Sequence, residues 1–208
     1  VQVDGETATN INQRVSRFSA VVCDGQRTQS ETARYLMLNK PAGVVSATID
    51  EQHDTVIDLL EQPWRHQLHL VGRLDFNTTG LVLLTNDGRW SRQLSLPESK
   101  LTKRYKVRVQ KPLSQRYVDA FQRGVYFEYE GITTRPAQLK IRGEFEADVG
   151  LVEGRYHQIK RMFGQFHNKV LSIHRFAMGS LTLDPDLEAG QSRLLTPTEL
   201  QALSMETP

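Results

Sequence analysis

Leu81-Val82-Leu83-Leu84-Thr85 is an apolar run broken only at its last residue. Successive side chains of a strand point to opposite faces, so a strand with one wet face alternates. This run does not alternate. It needs cover on both faces, which predicts a central strand in a sheet packed on both sides. Asn86-Asp87-Gly88 follows with turn residues that end it.

The remaining pattern supplies neighbours for that strand. Tyr35-Leu36-Met37-Leu38 is another buried run, and His69-Leu70-Val71 is a strand entering a loop. Arg104 to Gln110 alternates: Tyr105, Val107 and Val109 share one face, and Lys106, Arg108 and Gln110 the other. Residues 136–141, 147–152 and 170–173 are strand-like as well. Helices are fewer. Asp54 is placed to cap a short one over 56–61, ended by Pro63. Ser114 caps one running to Arg123, with Gly124 after it. A third covers 157–166, with Ile159, Met162, Phe163 and Phe166 at core-face spacing. Thr196-Pro197-Thr198-Glu199 is a capping box opening a last helix through Leu203. Strands outnumber helices and short turns join many of them. The fold class expected is α+β, a largely antiparallel mixed sheet with flanking helices.

A length of 208 residues allows one large domain, or one domain and a fragment. Asp4-Gly5 and Asp24-Gly25 are turn signals after short strands. The polar stretch 26–32 has no periodicity and reads as a linker. The organisation expected is an N-terminal piece over 1–27, a linker over 28–33, and the main domain over 34–208. The chain starts at Val1 rather than Met, so a leading segment is expected before it. Cys23 is the single cysteine, which excludes an intramolecular disulfide. It sits in an apolar run and reads as a buried strand thiol, in keeping with a reducing compartment, the cytoplasm. No apolar run approaches the roughly 20 residues of a membrane span, and no signal-peptide pattern is present.

Net charge is only +2, but it is unevenly spread. Residues 100–123 hold Lys100, Lys103, Arg104, Lys106, Arg108, Lys111, Arg116 and Arg123 against Asp119 alone. Residues 155–175 hold Arg155, Lys160, Arg161, Lys169 and Arg175 with no acid. Asp184, Asp186, Glu188, Glu199 and Glu206 restore the balance. Two basic segments point to a polyanion, because phosphates are met by Lys and Arg. A solvated charged surface has the same composition.

Two constellations can carry chemistry. Gly72-Arg73-Leu74-Asp75 enters a loop of Asn, Thr and Gly ahead of the central strand. A carboxylate between two buried strands is well placed for a rigid cleft; a turn-forming aspartate fits the same residues. The second is residues 153–163, a strand-to-helix junction rich in donors, where free N–H groups attract phosphate. An amphipathic helix with a wet basic face is the competing reading. The six histidines lack the spacing of a metal site, and no paired cysteines or His-Glu-x-x-His occurs. No phosphate-cradling glycine loop suggests a nucleotide cofactor, and no Gly-x-Ser-x-Gly a serine hydrolase.

Together these residues resemble the pseudouridine synthases, in particular the bacterial RsuA/RluB/RluE/RluF group. Four blocks carry the resemblance, in order, over about residues 34–200. They are Arg34 to Gly43, Gly72-Arg73-Leu74-Asp75 with Thr79-Gly80-Leu81, Lys103-Arg104-Tyr105, and Glu153 to Phe163 with Ile173-His174-Arg175. Residues 1–27 resemble the end of an S4-type RNA-binding domain, a shorter match. The resemblance implies isomerisation of a uridine in ribosomal RNA to pseudouridine, without a cofactor. Naked RNA and a ribosomal subunit or assembly particle both stand as the substrate form. It implies a monomer acting away from membranes.

By the same resemblance Asp75, Tyr105 and Lys160 are catalytic. Asp75 is the reacting carboxylate, attacking the sugar or base or removing a sugar proton. Lys160 keeps the carboxylate ionised, with Arg161 as the alternative partner; a cation opposes the protonation that desolvation favours. Tyr105 stacks on the uracil or relays a proton, and Ile173 packs under the base. Arg73 helps hold the nucleotide out of its stack, since chemistry on a base requires flipping. Thr79, Lys103, Arg104, Arg155, His157, Gln158, Arg161 and Arg175 complete the RNA-binding set. Tyr156-His157-Gln158 resembles the member acting on 16S ribosomal RNA; relatives acting on 23S RNA tend to have Asn-Arg-Gln there. The rivals are a 23S enzyme and a non-catalytic RNA-binding assembly factor. A glycosidase is disfavoured because no second acid flanks Asp75 in the matched blocks.

Overall fold

The computed structural model describes residues 1–29, 31–96, 99 and 101–205; Lys100 and Glu206 lie outside them. The chain divides into two compact units, Val1–Arg34 and Tyr35–Pro208.

In the first unit β1 (Gln2–Val3), β2 (Glu6–Thr7), β3 (Val21–Cys23) and β4 (Gln26–Gln29) form an antiparallel sheet in the order β2-β1-β3-β4. Both Asp-Gly pairs turn hairpins, with Asp4 at φ 53° and Asp24 at φ 51°. The linker expected from Gln26 onward therefore begins later, because Gln26–Gln29 pairs with β3 despite its polarity. Cys23 is half-buried rather than enclosed.

The second unit contains β5 (Tyr35–Lys40), β6 (His69–Val71), β7 (Thr79–Thr85), α1 (Gly88–Ser95), β8 (Lys103–Val109) and α2 (Gln115–Arg123). It continues with β9 (Tyr126–Phe127), β10 (Ile132–Thr133), β11 (Gln138–Gly143), β12 (Glu146–Leu151), α3 (Gln158–Gly164), β13 (Val170–Met178), β14 (Leu181–Thr182), β15 (Ser192–Leu194) and α4 (Pro197–Met205). Among the described residues nine strands make the main sheet. Its path is β11-β12-β8-β13-β7-β5-β15, with β14 on β13 and β6 on β7. The β7–β13 pair is parallel and the other strand pairs of this sheet are antiparallel.

β7 lies inside the sheet and Leu81 to Leu84 are fully buried. Val82 and Leu84 face one core with Tyr105, Val107, Phe121 and Phe163. Leu81 and Leu83 face the other with Trp90, Leu94 and Leu203. The cover on both faces that the apolar run requires is thus supplied by α2 and α3 on one side and α1 and α4 on the other. The helix expected over 56–61 is absent. The Asp58 carboxylate accepts from the Thr55 N–H and hydroxyl, each at 2.8 Å, and residues 55–60 close as turns. Asp87, read as part of a turn, caps α1 by accepting from the Arg89 and Trp90 N–H groups.

Gly80 decides how closely β7 and β13 approach. It has φ +101°, and a Cβ there would lie 2.2 Å from the Arg175 carbonyl oxygen. Gly80→Ala is expected to destabilise the protein by about 3 kcal/mol or more through strain and overlap. The midpoint of urea unfolding measures this, and a loss under about 1 kcal/mol contradicts the close approach.

Candidate active site

Asp75 sits on the loop between β6 and β7, and residues 40–46 hold that loop by hydrogen bonds. The Leu74 N–H donates to the Ser46 hydroxyl at 3.1 Å, and the Gly43 N–H to the Phe76 carbonyl at 3.0 Å. Lys40 is the strongest tie. Its side chain is fully buried, and Nζ donates to the carbonyls of Pro41, Asp75, Phe76 and Thr78 at 2.9 to 3.3 Å. Burial lowers its pKa to about 8, with the Asp75 carboxylate opposing the shift. From the sequence alone Lys40 has no assigned role. The available signal was a lysine closing the buried run Tyr35–Asn39, where an unpaired charge has no place.

The Asp75 side chain is about 30% exposed. Its Oδ2 lies 3.3 Å from Lys160 Nζ and 3.5 Å from His157 Nε2. His157 stands at the N-terminal boundary of α3 in a left-handed conformation, φ 50°, and stacks on Tyr156 with ring centroids 3.9 Å apart. Lys160 follows within the first turn of the same helix. One short helix and its N-terminal boundary thus bring an ammonium and an imidazole to one carboxylate oxygen.

Asp75 opens onto a cavity of about 450 Å³ whose wall includes Arg73, Tyr105, Arg155, His157, Gln158 and Ile173. That volume suits a small ligand. Tyr105 and Ile173 are nearly buried on adjacent strands, β8 and β13, and offer an apolar surface. Glu153 anchors the segment that carries Arg155 and Gln158. Its Oε1 accepts from Gln158 Nε2 at 2.6 Å and from the Arg135 N–H, and its Oε2 accepts from Arg155 Nε. Gln158 is buried in this network.

Other expected residues lie elsewhere. Arg161 is paired with Glu130 and stacks over the Phe127 ring at 3.7 Å, so Lys160 and not Arg161 reaches Asp75. The Thr79 hydroxyl meets His174 Nδ1 at 2.9 Å, and Thr79 does not line the cavity. Period-two alternation also splits the basic strand β8. Lys103 shares the face of Tyr105, whereas Arg104, Lys106 and Arg108 point away from it. Arg104 donates to the Gly179 carbonyl, and Arg104 and Lys106 lie over the Phe176 ring. Among the described residues no group of three His, Cys, Asp or Glu side chains is placed to hold a metal ion. No helix among them is long and apolar enough to cross a membrane.

Comparison with known proteins matches residues 34–165 to the RNA pseudouridylate synthase family, and this chain belongs to that family. It is therefore a pseudouridine synthase, an isomerase. Within the family it is 51% identical over 201 residues to ribosomal small subunit pseudouridine synthase A of Pseudomonas aeruginosa, covering 96% of this chain and 87% of that protein. It is 40% identical over 204 residues to the Escherichia coli K12 protein of the same name, covering 98% and 88%. A crystal structure of a pseudouridylate synthase superposes with a TM-score of 0.80 at 35% identity, covering 97% of this chain and 87% of that one.

Proposed function

We propose that the protein isomerises one uridine of 16S ribosomal RNA, with Asp75 as its reacting carboxylate. The observation that carries this reading is the position of Asp75. It stands between Lys160 and His157 at the wall of a cavity floored by Tyr105 and Ile173. A flipped uracil has a flat apolar face to lay against Tyr105 and Ile173, and its sugar then lies toward Asp75. Lys160 sets an ammonium 3.3 Å from the reacting carboxylate. The N-glycosidic bond breaks, the uracil turns, and the sugar is rejoined to C5, which loses its hydrogen to solvent while the freed N1 takes up a proton. Arg73, on the cavity wall just before Asp75, steadies the extruded nucleotide. The small-subunit relatives support 16S RNA as the target. The first unit, read as S4-like, adds RNA contacts, and the protein acts as a monomer in the cytoplasm.

Tritium release from C5-labelled uridine tests this reading. The full chain is expected to release tritium from 16S RNA, presented naked or within assembling small-subunit particles, and not from 23S RNA. Release from 23S RNA alone moves the target. Binding without release from either RNA favours a non-catalytic assembly factor.

A further inference from the structure

A second cavity, of about 540 Å³, adjoins the first and shares Arg73, Tyr105, Gly154 and Arg155 with it. Its wall carries three cations that the uridine pocket does not use, Lys103, Arg135 and Arg175, and Lys103 lies close enough to Arg175 to feel its charge. Arg175 is only 1% exposed. Its Nε donates to the Leu81 carbonyl at 2.7 Å, but its Nη2 is buried with no hydrogen-bond partner. Lys103 has no carboxylate beside it among the described residues. Burial lowers its pKa, and the Arg175 charge lowers it further. The one carboxylate on this wall among the described residues is Glu153, and both its oxygens are taken by Arg135, Gln158 and Arg155.

A buried cation beside a half-buried one, with no free carboxylate on the same wall, is a costly arrangement. Anchoring β13 to β7 explains the Nε bond of Arg175. It does not explain the orphaned Nη2, or the lysine held beside it. An anion explains both: one oxygen can accept from the guanidinium and another from the ammonium.

We propose that this cavity is a phosphate subsite, taking one backbone phosphate of the RNA next to the target uridine. Lys103 and Arg175 bind it, and Arg73 and Arg155 stand where the two cavities meet. The assignment rests on the reading of the first cavity as the uridine pocket. Because the cavities share Tyr105 and Arg73, a phosphate seated here fixes the register of the strand while the base occupies the neighbouring space. Lys103 thereby differs from Arg104, Lys106 and Arg108, which point to the other face of the sheet.

The test uses the full chain and a 16S RNA fragment that it modifies. Each of the three phosphates nearest the target uridine is replaced in turn by a neutral methylphosphonate. One position is expected to lower wild-type affinity about tenfold and to have no further effect on Lys103→Gln. Lys103→Gln should itself bind about tenfold more weakly, with a salt slope smaller by about one, and Lys103→Arg should restore the slope. A wild-type slope in Lys103→Gln overturns the subsite. So does a set of methylphosphonate effects that all multiply independently with the mutation, even if inorganic phosphate binds in the cavity. Wild-type protein that releases no tritium defeats the synthase reading instead, so the two failures are separable.

Discussion

Asp75→Asn is expected to abolish isomerisation, by about 10³-fold or more, while folding and RNA affinity stay near wild type. The change keeps the shape of the side chain and removes its charge. The bonds that hold the loop use the Asp75 carbonyl, not its carboxylate: Thr78 N–H and Lys40 Nζ both donate there. They survive the substitution. What is lost is the pairing with Lys160 at 3.3 Å and the approach of His157 at 3.5 Å. Both partners are more than a third exposed, so water can replace the carboxylate at a cost near the ~0–1 kcal/mol of a surface ion pair. A pure binding protein would hardly register this change. Single-turnover tritium release, read beside a melting curve and a binding isotherm, separates the cases. Turnover within tenfold of wild type in a folded Asp75→Asn protein removes Asp75 from the chemistry.

The parts of the fold legible in the sequence were those with a period. The unbroken Leu81–Leu84 run required a central strand, and β7 is one. The alternation of β8 separates Tyr105 from Lys106 and Arg108 in the sequence itself. Where one residue type serves two local structures, the reading failed. Asp87 followed by Gly88 fits a turn and a helix start equally, and the decision came from Trp90 and Leu94 packing into the second core. Asp54 looked like a helix cap, yet Asp58 took the local donors and closed turns instead. Gln26–Gln29 has no apolar face, and only pairing with β3 makes it a strand. The site divides in the same way. Asp75 and Lys160 came into view through a family pattern, and their 3.3 Å contact spans 85 positions that no local rule connects. Lys40 was missed because its partners come chiefly from a loop some 35 residues later.

Lys40 carries the second large effect expected. Lys40→Met removes the donor that gathers four carbonyls around Asp75. Its effect on stability is the difference of two opposing quantities. Unpaired buried carbonyls cost about 1–3 kcal/mol each, whereas the penalty for burying an ammonium disappears. The Asp75 and Phe76 carbonyls also keep donors in the Thr78 and Gly43 N–H groups, so the fold should survive. Position is less forgiving: a shift of about 1 Å at a reacting carboxylate can cost about 100-fold in turnover, and that is the loss expected. A pH profile then distinguishes loop support from general damage. The native pKa near 8 lies below the ordinary value of 10.5. Between those values the unfolded chain holds more protons than the native one, so through this group stability rises with pH. Above pH 8 it is the loop that suffers, since a neutral amine loses its attraction for four carbonyl dipoles. Wild-type turnover should therefore fall through an apparent pKa near 8, with no matching fall in melting temperature from this group. Lys40→Arg keeps its charge at any such pH and should push the alkaline limb upward. If wild type and Lys40→Arg share one alkaline limb, Lys40 does not set the geometry of Asp75.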